Sequence, residues 1–173
     1  MTSPTSQRVP VVAPPPETVN DGLVIDSATR SDLFRIAGLL RSAAPACVPL
    51  TPHQVRARRR QFEVVRDPVD GVVAAVALRP VERRRVELGS LVVAPSHHHQ
   101  GLGTRLVERA VSQCVRRDLE LVCVTRNPRF FARLGFRCLP FCRERSSSPN
   151  HRRGQRTAMA CLATLTHHRR RIS

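Results

Sequence analysis

Apolar residues along the chain fall into short runs and helical stripes, divided by proline, glycine and arginine. Leu23, Val24 and Ile25 make a short strand candidate. Leu33, Ile36, Ala37 and Leu40 then recur at helical spacing, with Ser31 or Thr29 placed to cap the helix. Pro45 and Pro49 interrupt the chain. Thr51-Pro52 sets a capping residue before a proline suited to the first helical position, which predicts a short basic helix through Gln61. Phe62 to Val65 reads as a strand, and Pro68-Val69-Asp70-Gly71 as a turn into the nearly continuous apolar run 72–78. A charged turn from Glu82 to Arg85 leads to a third strand over 86–93, so the middle of the chain is an antiparallel meander of three strands.

The clearest helix spans 101–117. Leu102, Leu106, Val107, Ala110, Val111, Cys114 and Val115 form its apolar stripe, and Arg105, Arg109, Gln113 and Arg116 are expected to face out. A buried-type strand follows over 119–124, then a short helix from Pro128 through Leu134, ended by Gly135. Phe136 to Cys138 starts another strand, 140–151 is a Ser- and Arg-rich loop, and 157–162 is the last strand. The pattern predicts an α/β (α+β) domain over 21–165, with a mixed, mostly antiparallel sheet flanked by helices and no internal repeat. Residues 1–20 hold five prolines and little periodicity, so they read as a disordered leader, and 166–173 read as a basic tail.

Composition changes this picture less than it first suggests. All 29 basic residues are arginine, and the 173-residue chain carries a formal net charge of +16. Such a balance points toward a polyanion. Lysine is absent, however, and the arginines are spread over most of the chain, as a GC-rich coding bias would leave them. Phe is the only aromatic residue, which leaves little for base stacking, so nucleic acid is not the expected partner. No apolar run approaches the roughly 18 residues of a membrane helix. The first residues lack the basic start and apolar stretch of a secretory signal. The six cysteines include no CxxC pair, and Cys114 and Cys123 sit in apolar patterns; reduced thiols in the cytoplasm are expected.

The informative segment is SLVVAPSHHHQGLGTRLVERA, residues 90–110, which runs strand, turn, glycine loop and helix start. Gly101 and Gly103 let backbone N–H groups approach an anion, and the first helical turn adds unpaired donors and a partial positive charge. That is a ready phosphate site. A Walker P-loop is excluded, because it needs a lysine. A dinucleotide fingerprint fits poorly, because Leu106 stands where a third small residue is needed. The run His97-His98-His99 lacks neighbouring Cys, Asp or Glu, so no metal is expected there. Partial protonation would instead help it attract an anion.

Val93-Ala94-Pro95 followed by Gln100-Gly101-Leu102-Gly103 resembles the coenzyme-A pyrophosphate loop of the GNAT N-acetyltransferases. FFARLGF, residues 130–136, is similar to the short helix and glycine turn after that family's fifth strand. The stretch from Glu87 to Val93, and more weakly the segment from Asn150 to Leu162, resemble the acetyltransferase domain of N-acetylglutamate synthases. Leu50 stands where those enzymes usually have an arginine, and no amino-acid kinase-like domain accompanies the match. The resemblance implies the GNAT acyl-CoA N-acyltransferase fold, with acetyl-CoA as co-substrate and no metal. It implies that the backbone of Leu91, Val92 and Val93 pairs with the pantetheine arm, and that His99, Gln100, Gly101, Leu102, Gly103 and Thr104 hold the pyrophosphate.

Acetyl transfer to an amine needs a base to remove its proton, directly or through water. Alternation puts Glu87, Gly89, Leu91 and Val93 on one strand face, which makes Glu87 the candidate base. Its alternative is an exposed residue paired with Arg84 or Arg85. Many relatives place a tyrosine general acid four residues before the glycine of the LGF turn; Phe131 stands there, so it reads as packing and the thiolate is left to be protonated by water or another group. Arg153 and Arg156 are the candidates for holding a substrate carboxylate. The expected acceptor is a small amine, first an amino acid such as glutamate. An antibiotic, a protein N-terminus and a catalytically inactive arginine-rich binding protein remain as alternatives. A homodimer is compatible with the sequence.

Overall fold

The computed structural model describes residues 14–19 and 22–138, and the backbone of a strand at 159–163. In chain order the elements are β1 (Glu17–Thr18), β2 (Val24–Ser27), α1 (Leu33–Ser42), α2 (Pro52–Ala57), β3 (Phe62–Asp67), β4 (Gly71–Glu82), β5 (Arg85–Val93), α3 (Leu102–Arg116), β6 (Glu120–Thr125), α4 (Pro128–Arg133), β7 (Arg137–Cys138) and β8 (Met159–Ala163). The described strands form one sheet in the order β1-β2-β3-β4-β5-β6-β8-β7. β3, β4 and β5 are antiparallel neighbours, as the meander predicts; β2 adds antiparallel to β3, and β6 runs parallel to β5. A parallel neighbour requires a crossover, and α3 supplies it.

Side-chain alternation divides the core between the sheet's two faces. On one face Phe62, Val64, Val72, Ala75 and Val92 pack with Ile36, Leu40 and Val55 from α1 and α2. On the other, Ile25, Val65, Val73, Leu78, Val86 and Leu88 pack with Leu102, Leu106, Val107 and Ala110 of α3 and with Phe131 of α4. Local chemistry fixes the helix ends. Thr51 and Gln54 form a reciprocal capping box ahead of Pro52, where the sequence places the cap. That helix ends at Ala57, and a separate 3-10 turn covers Arg59–Gln61.

The cap position of α1 falls at Asp32, one residue past Ser31 and three past Thr29. Asp32 sits at its N-terminus and turns its carboxylate back onto the Thr29 amide and hydroxyl, at 2.6 and 2.7 Å. Arg66 donates to the same oxygen at 2.6 Å. Burial alone would raise the Asp32 carboxyl, but these bonds outweigh it and hold it below its ordinary value.

Two further expectations are corrected. Glu17 and Thr18, read as leader, pair with Ile25 and Val24, and Val19 is buried. In α3, Gln113 is buried and the Arg109 side chain is only 8% exposed, whereas Val115 is exposed. Arg109 and Gln113 continue the spacing of Leu102 and Leu106, so their face turns inward. There they meet Glu63, a buried carboxylate in β3: Gln113 donates to it at 2.5 Å and the Arg109 Nε lies 3.3 Å from its Oε2. The same guanidinium reaches Glu17 at 3.0 Å and the Pro15 carbonyl at 2.5 Å, which ties the chain's first described residues to α3.

Candidate active site

The site begins where two parallel strands part. β5 pairs with β4 over most of its length, but with β6 only from Arg85 to Leu88. Among the described residues, 89–93 therefore have β4 as their one strand neighbour. The register against β4 also shifts: Ala75 faces Val92, yet Ala77 faces Gly89. The extra residue makes a bulge, and Ser90 takes a φ of 52° within it.

That bulge re-sorts the side chains. Val86 and Leu88 belong to the α3-side core, and Leu91 and Val93 pack against that same core, while Val92 joins the α1–α2 core. Alternation from Val86 and Leu88 therefore places Glu87 on the opposite face from Leu91 and Val93. A regular strand would have kept all three together. The expected shared face is corrected.

Parting leaves backbone groups without a strand partner, and such groups must be satisfied in another way. The Leu91 carbonyl accepts from the Cys47 thiol at 3.3 Å. The Val93 carbonyl meets the His98 Nε2 at 3.0 Å. Both partners come from loops, so an extended amide-bearing ligand can replace them by strand addition. Burial pushes the Cys47 thiol up, which keeps it a neutral donor.

The β5–α3 connection brings the helix start to the same corner. Gly101 caps α3 with φ 75°, a left-handed conformation in which a Cβ is strained. No side chain caps this helix end, and its first turn carries no acidic residue. The amides of Leu102, Gly103 and Thr104 thus lack intrahelical acceptors at the positive end of the helix dipole. A Cβ on Gly103 would lie 3.8 Å from both Phe130 and Val93, ordinary contact. Loop, β5 edge and α4 therefore meet at this residue.

The histidine run does not act as one unit. His97 turns inward, with Nε2 3.7 Å from Asp67 and 3.8 Å from Asp70, and Nδ1 2.9 Å from the Ser96 hydroxyl. Backbone N–H groups of Asp70 and Val69 hold the Asp67 carboxyl below its ordinary value. His97 thus anchors the loop to the β3–β4 turn, and the expected anion-attracting role does not extend to it. Only His99, exposed and at φ 63°, remains beside Gln100 on the loop. Among the described residues no three His, Cys, Asp or Glu side chains converge as metal ligands.

Glu87 pairs with Arg79, its neighbour across β4 and β5. The expected partners are engaged elsewhere: Arg84 with Asp118, and Arg85 with Glu82 at 2.9 Å and Glu120 at 2.5 Å. Phe131 is buried edge-to-face between Phe130 and Phe136, with ring centroids 5.0 and 5.2 Å away, so it packs as expected. Arg153 and Arg156 lie outside the described residues. Sequence reasoning missed Cys47, Arg79 and the contact of His98 with the Val93 carbonyl. Arg79 alone had a local signal, as the cross-strand neighbour of Glu87 in a hairpin with a short charged turn.

Residues 58–138 match the family model described as the acetyltransferase (GNAT) domain. No curated protein matches the sequence. Among solved structures, Rv2747 from Mycobacterium tuberculosis, in complex with CoA, is similar with a TM-score of 0.63 at 23% identity, over 67% of this chain and 72% of that one. N-acetylglutamate synthase from Neisseria gonorrhoeae, complexed with coenzyme A and N-acetyl-glutamate, gives 0.67 at 18% identity over 81% of this chain. The match spans 34% of that synthase. A GNAT-family acetyltransferase from Staphylococcus aureus gives 0.62 at 12% identity, over 81% of this chain and 97% of that one. At these identities the likeness is one of fold. The matched segment holds β5, its bulge, the glycine loop and α3, and it is the part of this chain that is similar to the GNAT acetyltransferase domain.

Proposed function

We propose that the chain is an acetyl-CoA-dependent N-acetyltransferase whose acceptor is a free α-amino acid, of which glutamate is the first candidate. The observation that carries this reading is the meeting of two backbone sets: the edge of β5 at 89–93, which has no β6 partner among the described residues, and the uncapped start of α3. An extended pantetheine arm needs the first, and a pyrophosphate needs the second. Leu91, Val92 and Val93 would pair with the arm, and His99 to Thr104 would surround the diphosphate. CoA is present in the complexes of Rv2747 and of the gonococcal synthase, which supports the same use here.

In the reaction the acceptor nitrogen forms a bond to the thioester carbonyl carbon, and the carbon–sulfur bond breaks. The ammonium loses two protons overall. One goes to solvent by way of Glu87, directly or through water, and the other ends on the departing CoA sulfur. Phe131 offers no proton, so water supplies the sulfur's. The open-edge amides of β5 can stabilise the oxyanion that develops on the carbonyl. A cytoplasmic setting fits the unbridged thiols of Cys47 and Cys114.

The test is release of free thiol from acetyl-CoA by the purified chain, against amino acids, amine-bearing antibiotics and short peptides. Amino acids should give turnover above the acceptor-free background. Turnover confined to antibiotics or peptides, or none with any amine, contradicts the reading.

A further inference from the structure

Arg79 and Glu87 form an opposite-charge pair on the sheet face that α1 and α2 leave uncovered. On that face β4 presents Ala75, Ala77 and then Arg79 in alternation, and the α1–α2 core reaches only to Ala77. Arg79 is 54% and Glu87 26% exposed at the side chain, so the pair is accessible to a ligand. Neighbouring charges are already committed: Arg85 holds both Glu82 and Glu120. Arg79 differs, because its five-donor guanidinium has one carboxylate partner among the described residues. It retains donors in the planar fork that fits a second carboxylate.

An α-amino acid carries an ammonium and a carboxylate on one carbon, which is the complement of this pair. We propose that Arg79 is the specificity-determining residue of the acceptor site, holding the substrate α-carboxylate while Glu87 receives the adjacent ammonium. This rests on the proposed function and narrows it to acceptors that bear both groups. Exchange of the internal pair for the substrate keeps both charges compensated. An amine without the carboxylate would leave Arg79 and Glu87 bound to each other, with the base withheld from the nitrogen.

The test uses the full chain with matched acceptors: L-glutamate against γ-aminobutyrate, and L-phenylalanine against phenethylamine. For a substrate that turns over, kcat/KM should favour the α-carboxylate member at least about tenfold, as expected for a charged bidentate contact. Arg79→Gln should erase that preference mainly through KM, leave acetyl-CoA affinity unchanged, and Arg79→Lys should restore part of it. Arg83→Gln, on the exposed hairpin turn, is the charge-matched control and should change neither quantity. Equal use of both members, or an Arg79→Gln variant that keeps the preference, overturns the role of Arg79 and leaves the acetyltransferase reading standing. Acetyl-CoA binding without turnover of any amine overturns the proposed function, and this inference with it.

Discussion

The body of α3 and its N-terminus treat polar groups in opposite ways. In the body, Arg109 and Gln113 turn into the protein and meet the buried carboxylate of Glu63. At the N-terminus the first-turn amides have no cap and no acidic neighbour, and Gly101 keeps side-chain bulk away from them. One helix therefore carries a charge pair closed by the fold and a donor set that only a ligand can close. The difference teaches where to look for binding: inward polar groups belong to stability, and outward unsatisfied backbone belongs to function.

The largest expected effect comes from breaking the closed pair. Arg109→Ala leaves Glu63 buried without a cation and should cost about 3 kcal/mol of unfolding free energy near neutral pH. Acetyl-CoA affinity, measured on the remaining folded protein, should hold. The double variant Glu63→Leu with Arg109→Met should recover most of the loss in denaturant unfolding, because it removes both charges together.

Breaking the open end should do the reverse. Gly101→Val forces a β-branched residue into a left-handed conformation and should lower acetyl-CoA affinity more than about tenfold by calorimetry, roughly 1.4 kcal/mol or more. Gly103→Ala, whose Cβ meets only ordinary contacts, should change the melting temperature little.

The smallest effects sharpen the comparison through pH. Burial raises the Glu63 carboxyl above its ordinary value, against the pull of Gln113 and Arg109. The folded state therefore keeps that proton longer than the unfolded chain, and this contribution to stability declines as pH rises through the folded value. Asp32 is lowered, so its contribution is present above its ordinary value and is lost as pH falls through the folded one. Glu63→Gln and Asp32→Asn should thus change the slope of stability against pH in opposite directions. A common direction would contradict both assignments.

Most elements were legible because their signals are local. The Thr51 cap, the apolar run of β4, the stripe of α3 and the glycine at its start each depend on residues a few positions apart. The inward turn of Arg109 and Gln113 was half visible, since they keep step with Leu102 and Leu106, and Glu63 interrupts an apolar strand. Only their meeting across β3 and α3 makes the charges tolerable inside, and no local pattern specifies it. The bulge at Ser90 was invisible for a related reason. It comes from how β4 and β5 register, and it moves Glu87 to the other face from Leu91 and Val93. The site's backbone was therefore readable from sequence, while its side-chain partners, Arg79, Cys47 and His98, required the fold.

Under the proposed function, the open edge of β5 and the start of α3 bind acetyl-CoA together. Amide hydrogen exchange with and without acetyl-CoA tests it most directly. Protection should rise at 89–93 and 101–104, with 85–88, already paired on both sides, unchanged. Binding that leaves 89–93 and 101–104 exchanging as before would contradict the account.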